Sequence, residues 1–163
     1  MPAISNNLTR RRAMQIAVAA GCCGGPALAS GPRIDQITDP LSTAAKDMFR
    51  FAPDLVVTEP GTEIIFLNSR GEHTVHSSPQ LWPDGVPPVG ISAKKEAAVL
   101  LPVEGLYGFR CRRHGQYGMV MLVVAGNVSD LEFVPDRIAR MKAKPREKEA
   151  FTEVVARYMA LHL

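Results

Sequence analysis

Cys111, His114 and Met119 stand within nine residues of one another in the stretch "GLYGFRCRRHGQYGMVMLVV", which is largely apolar before the cysteine and after the methionine. A thiolate and a thioether are soft ligands that favour Cu(I), while an imidazole suits both oxidation states of copper. Two imidazoles and one thiolate in a trigonal plane, with a long axial thioether, make a blue-copper electron-transfer site. The spacing Cys-x-x-His-x-x-x-x-Met lets all three side chains converge from one end of a β-sandwich, if a loop between two strands carries them. The second imidazole has to come from elsewhere. His73, just before the short β-prone run "TVHSS", is the candidate. His76 lies three residues further on, so in a strand its side chain points to the opposite face. His162 stands next to the carboxyl terminus.

Two other chemistries use some of these residue types. Cys-His catalysis needs the histidine as a base and an oxyanion donor nearby, and it gives Met119 nothing to do. A zinc site prefers more thiolates or a closed His/Cys set and has no use for methionine.

The elements that must position these residues read as β. "RFAPDLVVTEPGTEIIFLN" holds short β-prone runs around the turn signal Glu59-Pro60-Gly61, "EHTVHSS" is a further strand, and "EAAVLLPVEGLYGFRC" gives two more around Pro102 and Gly105. "PQLWPDGVPPVG" reads as loop, and "GMVMLVVAG" as a last, buried strand. Short strands with frequent turns predict an all-β, Greek-key sandwich. After Gly126 the texture turns helical. Ser129 and Asp130 can cap a first helix, and Pro145 suits the first position of a second. Phe151, Val154, Val155, Tyr158, Met159 and Leu161 give that second helix a broad apolar face to dock on the sandwich.

The bulk numbers set limits. Residues 1–29 read as a cleaved export signal: Arg10-Arg11-Arg12, a short mildly apolar stretch, then Ala27-Leu28-Ala29. "TRRRAM" also fits the twin-arginine route. The whole chain has 19 Lys+Arg against 16 Asp+Glu. The leader's three arginines account for the excess, so the basic balance is no evidence for nucleic acid. Cys22 and Cys23 leave with the leader, and one thiol, Cys111, remains for an oxidising compartment. No apolar run is long enough to span a bilayer. The expected organisation is a leader over 1–29, a flexible entry segment over 30–46, a sandwich over 47–126, and a helical extension of the same domain over 127–163.

From Met48 onward the chain resembles the pseudoazurin family, small periplasmic cupredoxins. "FAPDLVVTEPGTEIIF" is similar to the family's Phe-x-Pro entry and Pro-Gly turn, "EHTVHSSPQLWPDG" to its first-histidine stretch, and "GLYGFRCRRHGQYGM" to its copper loop. The two trailing helices separate it from plastocyanin, which shares the loop spacing. The resemblance implies a cupredoxin sandwich of about eight strands with two C-terminal α-helices. It also implies one type 1 copper ion on His73, Cys111, His114 and Met119, and single-electron shuttling rather than enzymatic turnover. Implied partners are redox proteins such as copper nitrite reductase, nitrous oxide reductase or c-type cytochromes, docking transiently at the His114 face of a monomer in the periplasm. The rival is a copper-delivery protein, which would use the same ligands in an open site with exchangeable metal.

The chain departs from the family at two places. Thr74 stands where the family has an asparagine that ties the two ligand loops together, and it lacks the amide donors for that tie. Arg112 and Arg113 stand where it has Thr-Pro. Arg113 carries an N–H that proline lacks, which is expected to point at the Cys111 sulfur and raise the reduction potential. Arg112, Arg113, Lys94 and Lys95 are expected to form a cationic rim around an apolar patch that includes Gly115, Pro87 and Pro88.

Overall fold

The computed structural model describes residues 31–68 and 71–162. The leader expected over residues 1–29, with Cys22 and Cys23, lies outside the described residues. Among the described residues nine strands form two sheets: β1 (Arg33–Thr38), β2 (Phe49–Ala52), β3 (Leu55–Thr58), β4 (Glu63–Leu67), β5 (Thr74–Ser77), β6 (Gly90–Ser92), β7 (Glu96–Leu100), β8 (Gly105–Arg110) and β9 (Val120–Ala125). Their order is β2-β1-β4-β7 in one sheet and β3-β9-β8-β5-β6 in the other. β1 runs parallel to β4 and β3 parallel to β9, and the other pairs are antiparallel. The sandwich is therefore the expected one, with nine strands where about eight were predicted.

The additional strand is β1. The segment 30–46, read from the sequence as a flexible entry, pairs along β1 with both β2 and β4 and is followed by one short helical turn, α1 (Ala45–Met48). Its inward positions in "RIDQIT" are Ile34 and Gln36, both buried. A buried glutamine flanked by Asp35 and a half-buried Ile37 hides the period-2 signal on which strand recognition rests.

The core has two layers. Between the sheets lie Ile34, Phe51, Phe66, Val75, Tyr107, Phe109, Cys111, Met119, Met121 and Val123. Behind the five-stranded sheet, Leu106, Val120, Leu122 and Val124 pack against Val134, Ile138, Phe151, Val154 and Val155. Those last five come from α2 (Val134–Ala139) and α3 (Pro145–His162). All six residues of β9 are buried because alternate side chains enter the two layers. This accounts for the unbroken apolar run "VMLVVA".

α3 starts at Pro145 as expected, and its buried stripe is Ala150, Phe151, Val154, Val155 and Tyr158. Leu161, counted on that face from the sequence, is exposed. Asp130 precedes a 3-10 turn, Leu131–Phe133, without a side-chain cap, and α2 begins only at Val134.

Candidate metal centre

β8 ends at Arg110 and β9 begins at Val120, so the loop between neighbouring antiparallel strands carries Cys111, His114 and Met119. Its backbone closes on itself. The Cys111 N–H donates to the Met119 carbonyl at 3.1 Å, the Met119 N–H to the His114 carbonyl at 3.2 Å, and the Gly115 N–H to the Cys111 carbonyl at 2.7 Å. Gly118 turns the chain at φ +97°, a conformation that favours glycine. Cys111 and Met119 are fully buried in the inter-sheet core, and His114 is half-buried.

His73 arrives by strand pairing. β5 and β8 are antiparallel with His76 opposite Arg110, so the chain just before β5 lies beside the loop that follows β8. His73 is buried. Donor atoms of His73, Cys111 and His114 lie within 4.8 Å of one another. His73 Nδ1 is 3.0 Å from His114 Nδ1, and Cys111 Sγ is 3.7 Å from the latter. Metal–N and metal–S bonds of roughly 2.0–2.3 Å place two trigonal nitrogens about 3.5 Å apart and a nitrogen and a sulfur about 3.7 Å apart. The sulfur–imidazole distance already suits that spacing, and the two imidazoles need to part by only about half an ångström. The buried thiol and two imidazoles, with Met119 buried on the same loop, match copper's preference for mixed soft and borderline donors.

The other histidines stand apart. His162 packs at a tilt against Tyr158 at the end of α3. His76 is outside the cluster, and its Nε2 is buried without a hydrogen-bond partner.

Thr74 corrects one expectation. Its hydroxyl oxygen accepts the Arg112 N–H at 2.9 Å and lies 3.7 Å from Cys111 Sγ. The hydroxyl thus ties the two ligand loops together without an amide. Among the described residues the Thr74 hydroxyl and His114 Nδ1, rather than the Arg113 N–H, are the polar groups placed at the sulfur. The Arg113 guanidinium instead pairs with Glu72, joining the residues that precede the two histidines. Both partners are more than half exposed, so the pair adds little stability.

Four residues around the site gave no signal in the sequence. Thr38 Oγ1 is 3.0 Å from His73 Nε2. Phe49 lies face to face on His114, centroids 3.9 Å apart and planes 4° from parallel, with Tyr117 beside the pair, 5.4 Å from Phe49 and 6.5 Å from His114. Glu147, on α3, is buried beneath the loop: a Cβ on Gly115 would stand 3.0 Å from its Oε2. The rings against His114 are thus Phe49 and Tyr117. Pro87 and Pro88, expected there, line a separate groove with Trp82, Val86 and Leu100. Arg112, Arg113, Lys94 and Lys95 are all exposed.

Burial holds His114 below the ordinary histidine pKa, with smaller contributions from His73 and Arg113. Burial does the same to His76, followed by Arg112 and Arg110. A histidine whose folded pKa is depressed binds fewer protons than it does in the unfolded chain, so stability is full above about pH 6.5 and falls as pH drops below it. Chemical denaturation of the metal-free protein at pH 7.5 and 5.5 should show that loss. His76→Gln should make it smaller, and an unchanged slope would remove His76 from the account.

No family model matches the chain. Among curated proteins it is similar to pseudoazurin of Methylorubrum extorquens, 39% identical over 90 residues covering 55% of this chain and 61% of that protein. It is also similar to pseudoazurin of Paracoccus pantotrophus, 31% identical over 98 residues covering 60% of this chain and 67% of that protein. The chain therefore spans just under two thirds of the first relative's length and two thirds of the second's. Among solved structures, native pseudoazurin of Hyphomicrobium denitrificans superposes with a TM-score of 0.65 at 28% identity, over 78% of this chain and 97% of that one. Pseudoazurin of Methylobacterium extorquens gives 0.65 at 29%, over 78% and 98%. The likeness in structure thus extends over nearly the whole of those solved chains, and the chain belongs to the pseudoazurin family.

Proposed function

We propose that this protein is a periplasmic electron carrier that holds one type 1 copper ion on His73, Cys111, His114 and Met119. The observation that carries the reading is the convergence of the Cys111 sulfur with two imidazoles at one end of a rigid sandwich. A copper ion there supplies a single one-electron step between Cu(II) and Cu(I). The chain's part is to keep the donors in place through that step. Cys111 and Met119 are fixed by the core and by the closed loop backbone, and His73 by burial. His114 alone among the four is half-exposed, so it is the side chain nearest a docked partner. Exposed Lys94, Lys95 and Arg112 surround that end and favour an acidic partner by long-range attraction. Copper nitrite reductase, nitrous oxide reductase and c-type cytochromes are the partner classes this reading admits.

Titration with Cu(II) tests it. An intense visible band saturating at one equivalent, with rapid reversible reduction, is the expected result. A colourless protein that gives its copper readily to a chelator would instead make it a delivery protein.

The thiolate is also the lever on potential. A hydrogen bond to it withdraws electron density that Cu(II) needs more than Cu(I) does. Thr74→Val removes the hydroxyl at the sulfur, so the reduction potential should fall. One hydrogen bond of about 1 kcal/mol corresponds to about 40 mV for one electron. Voltammetry of the variant beside the wild type reads this directly, and a rise in potential would rule out the hydroxyl as a donor.

A further inference from the structure

Thr38 and Phe49 face each other in the antiparallel β1–β2 pair, so their side chains leave the same face of that pair. They reach different rings. Thr38 Oγ1 meets His73 Nε2 at 3.0 Å, and the Phe49 ring lies flat on His114 at 3.9 Å. Both histidines flank strands of the other sheet, so one cross-strand pair holds both imidazoles from across the sandwich.

We propose that Thr38 and Phe49 form a positioning unit that builds the imidazole half of the centre before metal arrives, Thr38 by selecting the tautomer of His73 and Phe49 by fixing the plane of His114. The inference rests on the reading of both histidines as copper ligands.

A neutral imidazole carries one N–H and one lone pair, and the partner of one nitrogen decides the role of the other. When Thr38 Oγ1 accepts from His73 Nε2–H, His73 Nδ1 keeps its lone pair on the side of the cluster. His73 Nδ1 then accepts from His114 Nδ1–H across the 3.0 Å that separates them. Only the His114 proton has to leave for both nitrogens to become ligands. The reverse arrangement, with the threonine hydroxyl donating to Nε2, would put the proton on His73 Nδ1.

The Thr38–His73 contact is also enclosed. A Cβ at Gly71 would stand 2.6 Å from Thr38 Oγ1 and 3.4 Å from His73 Nε2. Gly71 sits at φ +68°, so neither the space nor the backbone admits a side chain there. Phe49 acts on the more exposed ligand. An imidazole held flat on a ring cannot turn about its χ2 bond without unstacking, and Tyr117, itself 41% exposed, lies beside both rings, 5.4 Å from Phe49 and 6.5 Å from His114.

Long-range 15N–1H correlation spectra of the metal-free protein test the unit. We expect His73 as the Nε2–H tautomer and His114 as the Nδ1–H tautomer in the wild type. Thr38→Val should shift His73 toward Nδ1–H, and Thr38→Ser should restore the original pattern. Phe49→Leu should leave the His73 tautomer unchanged. Second partners of ligand histidines affect metal affinity by about 10–100-fold, so Thr38→Val and Phe49→Leu should each weaken Cu(I) binding by about tenfold in a competition assay, with Thr38→Ser near wild type. A wild-type His73 protonated on Nδ1, or a Thr38→Val spectrum identical to the wild type, overturns the Thr38 half. Full Cu(I) affinity in Phe49→Leu overturns the Phe49 half. The spectra need no copper, so their failure is distinct from failure of the ligand reading, which would show as a wild-type protein that takes up no copper.

Discussion

Cys111→Ser should abolish the intense visible absorption of the copper-loaded protein and leave the sandwich folded. The band is a thiolate-to-Cu(II) charge transfer, so it needs the sulfur. An alkoxide is not available to replace it, because a serine hydroxyl stays protonated at neutral pH. The fold does not depend on the thiol. Cys111 is one buried residue in an inter-sheet core that also holds Phe51, Phe66, Tyr107, Phe109 and Met121. A buried hydroxyl without a partner would cost about 1–3 kcal/mol. Here the Thr74 hydroxyl and His114 Nδ1, each 3.7 Å from the present sulfur, can supply one. The loss should therefore lie near the lower end, about 1 kcal/mol. Visible spectra after adding one equivalent of Cu(II), with thermal unfolding of the metal-free variant alongside, decide the matter. A serine variant that kept its colour would show that the ligand set is misassigned.

That loop was legible in the sequence because its chemistry is local. Cys111, His114 and Met119 lie on one short connection, and the strands on either side announce themselves as apolar runs. β9 is the clearest case, since burial on both faces makes it apolar throughout. His73 was the harder ligand. Its place beside the loop depends on the β5–β8 register, and the sequence offered only its position before a short strand. The residues that brace the site were not legible at all. Thr38 and Phe49 act through a cross-strand register that exists only once β1 has docked, and β1 itself was obscured by Gln36 at an inward position. Thr74 was visible but misjudged. Counting amide donors missed that a hydroxyl can accept a hydrogen bond from one loop while lying against the ligand of that loop. Glu147 was hidden for the opposite reason: in a helix rich in charge nothing marks the one carboxylate that turns inward.

The buried carboxylate leads to the second large effect. Arg110→Met should destabilise the metal-free protein by about 3 kcal/mol at neutral pH, near the lower end of what breaking a buried ion pair costs. Glu147 is 1% exposed, and Arg110 meets it twice, Nη2 donating at 3.0 Å and Nε 2.8 Å from the other oxygen in an ionic contact. Arg110 itself is 29% exposed and borders an open cleft with Arg112, Lys142 and Lys144, so water reaches one side of the pair and keeps the loss from the upper end. Methionine preserves the apolar stem of the arginine and removes only its charge. Burial already raises the Glu147 pKa while Arg110 opposes it, so removing Arg110 raises it further. A carboxylate whose folded pKa exceeds its unfolded value gains native stability as pH falls through the folded pKa. The deficit of the variant should therefore shrink between pH 7 and pH 5, and Arg110→Met combined with Glu147→Gln should recover most of it at pH 7. Because Glu147 lies directly under Gly115, the single variant should also loosen the loop that carries Cys111 and His114, seen as faster amide exchange there. Denaturant titrations of the wild type and both variants at the two pH values test the argument. A deficit that is the same at both pH values, and that the second substitution does not relieve, would mean that Arg110 stabilises the protein by packing and not by neutralising Glu147.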